Sequence, residues 1–439
     1  MDELATAVAR GHAEAVARLL EAGADPDTLG DDGLPVLCRA VAGYDVAVAS
    51  ALVEGGADQD RKLPDGTTAL IRAIDGGSPS LVTAVLGWEP RLRLPAAVRE
   101  RLLGRARHWY EVDKTGAFGP VHRTRVMDDE YCHVTQLTLG GTTVRAGHGA
   151  ILTHLEWAFH VLTPVDELAA RALSQGDPDH VDWSSVRWAL SQRESKQTWS
   201  AVSAYRHARG SLSRLFALDV LLAYVLGRWT WREETADLLV TWAMEGEEDP
   251  EVLAELLRVL GETEHAEFVT VGLRYARHPD PRVRAKVPDL LAECGDTPAS
   301  LTAETRAALF RLVADEDWHV RAMAGGALCR VRDRDSAVTD VIVALLSDPE
   351  AEVRAWVAEA VSHRGDRSPA VADALFALLD KEDDVSTRLN AVYGLIRRED
   401  PRIAEAVAHV GSDPYPDYVA DHRLSAIWHW ERHHRRGNT

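Results

Sequence analysis

The chain has 439 residues, 27% charged and 46% apolar, with 31 Gly and 19 Pro, a composition that excludes a disordered or collagen-like protein. Lys plus Arg number 49 against 69 Asp plus Glu, and the resulting net charge of −20 opposes the phosphate backbone of nucleic acid and anionic lipid alike. Length alone suggests about three domains, an estimate that loses meaning for a repeat array.

Only five of the cations are Lys (62, 114, 196, 286 and 381), so the positive charge is carried by guanidinium groups suited to planar, paired contacts. The opening MDELATAVAR has acids where a signal peptide has bases, and no run of about 18 apolar residues could span a bilayer. A cytoplasmic protein is expected. Cys38, Cys132, Cys294 and Cys329 fall in separate segments with no C-x-x-C, as reduced, buried thiols would.

Self-comparison of the first hundred residues gives a period of 33: Asp32-Gly33 recurs as Asp65-Gly66, and Gly23-Ala24-Asp25 as Gly56-Ala57-Asp58. Gly in Gly-Ala-Asp can take the left-handed conformation that ends a helix, and Asp-Gly makes the turn before the next helix pair. With Gly11-His12-Ala13-Glu14-Ala15-Val16 and Leu19-Leu20-Glu21-Ala22-Gly23-Ala24-Asp25, the stretch resembles the ankyrin repeat. The third unit departs from the pattern, with Glu89-Pro90-Arg91 in place of Gly-Ala-Asp, which puts the array at 1–98 and requires the next segment to cover its last face. The resemblance implies protein binding through turn tips, with Asp31, Asp32, Lys62, Leu63 and Asp65 as candidate contacts.

Residues 99–232 match no repeat. His133 to Leu139 and Thr142 to Ala146 alternate β-formers around Gly140-Gly141, predicting a β-hairpin near 133–146 within an otherwise helical segment. A helix is expected from Ala150 to Leu162, and Thr163-Pro164 reads as the capped start of another. Glu156 and His160 would then share a helical face at i, i+4, and Trp183, Trp188, Trp199, Trp229, Trp231 and Trp242 are unusually dense. Two readings stay open: core packing and surface pairing, or a small-molecule enzyme or lyase pocket lined by Glu156, His160, Trp183, Trp188, Trp199, Trp229 and Trp231 where the two arrays meet. Cys132 and His133 are adjacent in a predicted strand and point to opposite faces, so they form no nucleophile–base pair.

From 233 onward an element repeats: Asp280-Pro-Arg-Val283-Arg284, Asp317-Trp-His-Val320-Arg321 and Asp348-Pro-Glu-Ala-Glu-Val353-Arg354, with an echo at Asp384-Val-Ser-Thr387-Arg388. Apolar residues follow each Val at helical spacing, and the Asp can cap the helix. This resembles HEAT repeats over 233–439, closed by a capping helix at the C-terminus. The in-register arginines suggest a ladder of Arg–acid contacts. The intervening turns, Glu247-Glu248-Asp249, Asp315-Glu316-Asp317 and Glu382-Asp383-Asp384, would line up as an acidic ridge facing a basic partner, with Glu247, Glu248, Asp249, Asp315, Glu316, Glu382 and Asp383 as contacts.

No cofactor or metal is expected. His422, His429 and His433 fall on one face of the last helix, but Glu431 does not sit where a zinc-protease motif puts its glutamate, and no nucleotide-binding or serine-hydrolase motif occurs. The expectation is a mostly α fold, an α-solenoid of ankyrin and HEAT repeats with a β-hairpin insertion, acting as a cytoplasmic protein-binding scaffold for a basic protein or peptide, with nucleic acid disfavoured.

Overall fold

The computed structural model describes residues 2–115, 121–139, 141–227, 231–292, 301–331, 335–363, 367–410 and 421–436. They fall into two compact units, Met1–Thr230 and Trp231–Thr439.

In the first unit the 33-residue period sets the helix starts. Glu3–Ala9, Val36–Ala42 and Ala69–Gly76 form one row, and Ala13–Glu21, Val46–Glu54 and Pro79–Leu86 the other. Backbone conformation repeats with the same period: Gly11, Tyr44 and Gly77 are left-handed between the two helices of each pair, with φ of 69°, 56° and 73°. Gly23, Gly56 and Glu89 are left-handed after the second, at 94°, 94° and 46°. Glu89 therefore keeps the backbone of the glycine it replaces, despite the steric cost a side chain brings there. The short helix Pro90–Arg93 follows.

A fourth helix pair continues the stack. Ala96–Thr115 packs on Ala69–Gly76, and His148–Ala158 packs on Pro79–Leu86 and on Ala96–Thr115. Leu102, Ala106, Tyr110, Ile151, Leu152, Leu155 and Phe159 join the core of the first three pairs, which covers the face the repeats leave open. Between these two helices the chain forms an antiparallel sheet, β1 (His122–Met127), β2 (His133–Leu139) and β3 (Thr142–Arg145), in the order β1-β2-β3. The expected hairpin is β2–β3, with Leu137 opposite Val144. β1 is an addition: its HRTRVM sequence is mostly polar and carries no turn signal of its own.

The sheet is tied to the third repeat by buried polar contacts. Asp128 accepts from the Ser78 hydroxyl at 2.5 Å, the Ser80 amide at 2.9 Å and the Arg145 guanidinium at 2.9 Å. Gly77 lies under this junction, where a Cβ would come within 1.7 Å of the Arg145 carbonyl oxygen. The Tyr44 hydroxyl is within reach of the Gly76 and Thr143 carbonyls at 2.8 and 3.1 Å, with Arg145 stacked over its ring. Helices Val165–Leu173, Val181–Ser191, Lys196–Ala204 and Ser211–Leu226 complete the unit.

The second unit is a double row of helices. Trp318–Arg330, Ala351–Ser362, Val385–Arg397 and His422–Arg436 stack in sequence on one side, and Ser336–Leu345, Pro369–Lys381 and Ile403–Val410 on the other. Val320, Val353, Val357 and Val361 are fully buried, as their spacing requires. The expected helix through Val283 and Val287 is broken into Pro281–Arg284 and Val287–Ala292, because Pro288 has no N–H for the preceding turn. In the terminal helix Leu424 and Ile427 are the buried anchors, while Trp428 and Trp430 are half-buried. Among the described residues no helix is long and apolar enough to cross a membrane.

Candidate binding surfaces

The arginine ladder forms, with acceptors other than the capping acids. Asp249, Asp280, Asp317 and Asp384 cap their helices, accepting first-turn amides such as Glu251 N at 2.9 Å and Thr387 N at 2.7 Å. Asp348 does not cap; Glu350 occupies that position without a side-chain bond. Each arginine reaches the turn of the next repeat instead. Arg284 grips Asp315 with two bonds of 2.8 and 2.7 Å, Arg321 grips Asp348 with two of 2.9 Å, and Arg354 pairs with Glu382. The remaining terminal nitrogen of each donates to two carbonyls of its own turn, for Arg321 those of Asp315 and Glu316, both at 3.0 Å. Arg284 holds the carboxyl of Asp315 below the usual carboxylate range, against the opposing effect of its burial, and Arg321 does the same for Asp348.

This rearranges the acidic turns. Asp315 and Glu382 are engaged inside the array, and Asp249 is a helix cap. Glu247 accepts from the Trp242 indole at 3.2 Å and the Asp249 amide at 3.0 Å. Glu248, Glu316 and Asp383 are exposed, each immediately before a capping Asp. Pro279 and Pro349 hold the equivalent place in the intervening turns, so an exposed acid at this place recurs at every second turn.

At the ankyrin-like tips Asp31, Asp32, Lys62 and Asp65 are exposed. Asp32 and Asp65 accept from the Leu34 and Thr67 amides at 3.0 and 2.9 Å, which shapes the turns. The Thr67 hydroxyl and amide, with Arg72, hold the Asp65 carboxyl down at about 2. Leu63 is only 7% exposed and belongs to the core, so it offers a partner little surface.

Among the described residues of the first unit, the aromatic-rich segment does not gather into one pocket. The helix ends at Ala158, and His160 takes a left-handed φ of 59°, so the expected i, i+4 pairing with Glu156 is lost. Glu156 is buried against Arg171, with bonds of 2.6 and 3.1 Å, and accepts the Thr163 hydroxyl at 2.6 Å; Thr163 is thereby not the cap of the following helix, whose N-cap is Pro164. Trp183 is 2% exposed, donates to Asp219 at 2.7 Å and packs on Phe216. Trp188 is 44% exposed and meets Trp157 edge to face. Trp199 is half-buried, Trp231 precedes the first helix of the second unit, and Trp229 and Cys294 lie outside the described residues. A cavity of about 310 Å³ does exist in the first unit, lined by Trp157, His160, Val161, Leu162 and Arg193. Among the described residues, His160 alone of those expected lines it; Trp157, Val161, Leu162 and Arg193 carried no pattern by which the sequence could single them out.

Cys38 and Cys329 are buried, and the Cys132 thiol donates to Ser184 while His133 faces Asp177 at 3.1 Å, so the two neighbours do point apart. His422 stacks near His363, whereas His429 and His433 contact each other. Among the described residues no group of three or more His, Cys, Asp or Glu side chains is placed to hold a metal.

Residues 4–93 match the family model for ankyrin repeats in three copies, and residues 305–396 match the model for HEAT repeats. No curated protein matches the chain.

Proposed function

We propose that this chain, built on ankyrin repeats and HEAT repeats, is a protein-interaction scaffold whose partner is a protein or peptide with a basic segment, met in the cytoplasm. Repeats of both kinds generally mediate protein–protein contacts. The observation that supports a basic partner is the placement of Glu248, Glu316 and Asp383: they are exposed, they recur at corresponding turns, and they remain outside the ladder that engages their neighbours. The net charge of −20 adds a long-range attraction of the same sign. Asp31, Asp32 and Asp65, exposed at the tips of the first unit, offer a second acidic surface beside Lys62. Exposed ion pairs are individually worth about 0–1 kcal/mol, so these acids would accelerate encounter while apolar contacts hold the complex.

The test measures the association rate of an arginine-rich peptide, and of any partner identified by capture, with the full chain. Raising salt from about 50 to 300 mM shortens the screening length below about 10 Å and should slow association several-fold. The triple variant Glu248→Gln, Glu316→Gln, Asp383→Asn should slow it at low salt and leave melting unchanged. An association rate indifferent to both, or a captured partner that is itself acidic, overturns the reading.

A further inference from the structure

Half-buried Arg193 differs in its pairing from buried Arg171 and half-buried Arg145. Arg171 is met by Glu156 and Glu167, and Arg145 by Asp128. Arg193 has no carboxylate within 4.0 Å among the described residues. Its Nη1 donates to the Thr163 carbonyl at 2.7 Å. The nearest acid in electrostatic terms that could serve, Glu156, is already held by Arg171 and the Thr163 hydroxyl. Burial accordingly pulls the Arg193 guanidinium below its ordinary pKa, the direction expected of a cation lacking a compensating charge.

This cation faces a cavity whose other walls are Trp157, Val161, Leu162 and His160. The turn that builds the wall is firmly held, with His160 N bonded to Trp157 O at 3.0 Å and Val161 N to Glu156 O at 2.7 Å. Those bonds satisfy the end carbonyls of the preceding helix, which would otherwise repel an anion. His160 Nδ1 lies 2.8 Å from Arg91 Nη1. A guanidinium only donates, so Nδ1 accepts and the proton of the neutral ring sits on Nε2, a second donor. The turn also leaves Leu162 79% and Val161 41% exposed at the rim.

We propose that this cavity binds a small monocarboxylate with an apolar body, its carboxylate on Arg193 and its hydrocarbon or aromatic part against Trp157, Val161 and Leu162. A volume of about 310 Å³ is at the small end of ligand sites, which excludes a nucleotide or a folded partner. An ammonium would repel Arg193, and a neutral chain would leave its guanidinium without a counter-charge. The proposal does not rest on the scaffold reading, since every residue it uses belongs to the first unit and none is an acidic turn.

The test compares octanoate, octanol and octylammonium by calorimetric titration of the full chain. They share one apolar body and differ in charge. Octanoate should bind about ten-fold or more tightly than either of the others. Arg193→Gln should abolish that preference. Because this variant also loses the bond to Thr163, Leu162→Asp serves beside it: at an exposed position it should leave melting unchanged and weaken octanoate about ten-fold by placing a negative charge at the rim. Octanoate binding no tighter than octanol, or octanoate affinity unchanged in both variants, overturns the proposal.

Discussion

Two stacks of helix pairs in one chain keep their register by different means. In the ankyrin part the most regular recurring element is backbone conformation: left-handed residues at positions 11, 44 and 77 and at 23, 56 and 89, with tip aspartates bonded to amides of their own turns, while the bonds between repeats change donor, the Asp58 amide to Asp27 and the Arg93 guanidinium to Asp60. In the HEAT part the recurring element is a side-chain bond from one repeat to the next, Arg284 to Asp315, Arg321 to Asp348 and Arg354 to Glu382. A local device leaves the tips exposed and replaceable, whereas a device that joins neighbours draws acids inward. A run of acids in a repeat turn therefore signals an exposed surface only after those needed by caps and rungs have been set aside.

The severest break of the second stack is Val320→Asp. Val320 is fully buried, and an unpaired carboxylate there costs several kcal/mol, enough to unfold the HEAT part. The expected calorimetric trace loses the transition of the second unit and keeps that of the first; an unchanged trace would refute the packing described.

Arg354→Ala tests the rung itself. It strands Glu382, whose side chain is 6% exposed, and should cost about 3–5 kcal/mol by chemical denaturation, the range for a broken buried pair. A double change, Arg354→Met with Glu382→Leu, should recover most of that loss, because no charge is left unpaired.

In the first unit, pH offers a smaller and graded probe. Asp182 is buried, accepts the Ala150 amide at 2.6 Å, and burial pushes its carboxyl up to about 7. The folded chain thus holds a proton that the unfolded chain, titrating near about 4, gives up, so stability falls as pH rises between those values and levels off above. His180, pushed down to about 4 by burial, has the opposite effect between about 4 and 6.5. Asp182→Asn should remove the first contribution alone. Relative to the parent, the variant should gain stability steadily from about pH 4 to 7, read from denaturation midpoints at each pH. A difference independent of pH would show that Asp182 does not titrate in this range.

The smallest effect is expected at a tip. Asp65→Ala removes bonds to Thr67 and Arg72 at a side chain 52% exposed, and the melting temperature of the first unit should scarcely move. A fall comparable to that of Arg354→Ala would erase the contrast between the two stacks.

What the sequence disclosed follows this same contrast. The period of 33 marked the turns that bound the helix pairs, and the recurring Asp marked the caps at 280, 317 and 384 though not at 348, because these signals depend on residues close in the chain. The arginine register was readable, but the acceptor was not: Arg321 pairs with Asp348, 27 residues on, across a repeat boundary that no local spacing marks. The pairing of Glu156 with His160 failed because the helix stops at Ala158, and nothing in Phe159-His160-Val161 marks a left-handed residue. Arg193 gave no signal, since its significance lies in the carboxylate partner it lacks beside the cavity.

The rungs also have a direction. The three rung arginines each donate to an acid of the repeat that follows, so a segment excised from one rung to the corresponding point of the next leaves a donor facing an acceptor at the old spacing. A cut of any other length leaves a guanidinium and a carboxylate buried out of phase. Insertions and deletions in this half of the chain are thereby confined to whole units, and its length can change only in steps.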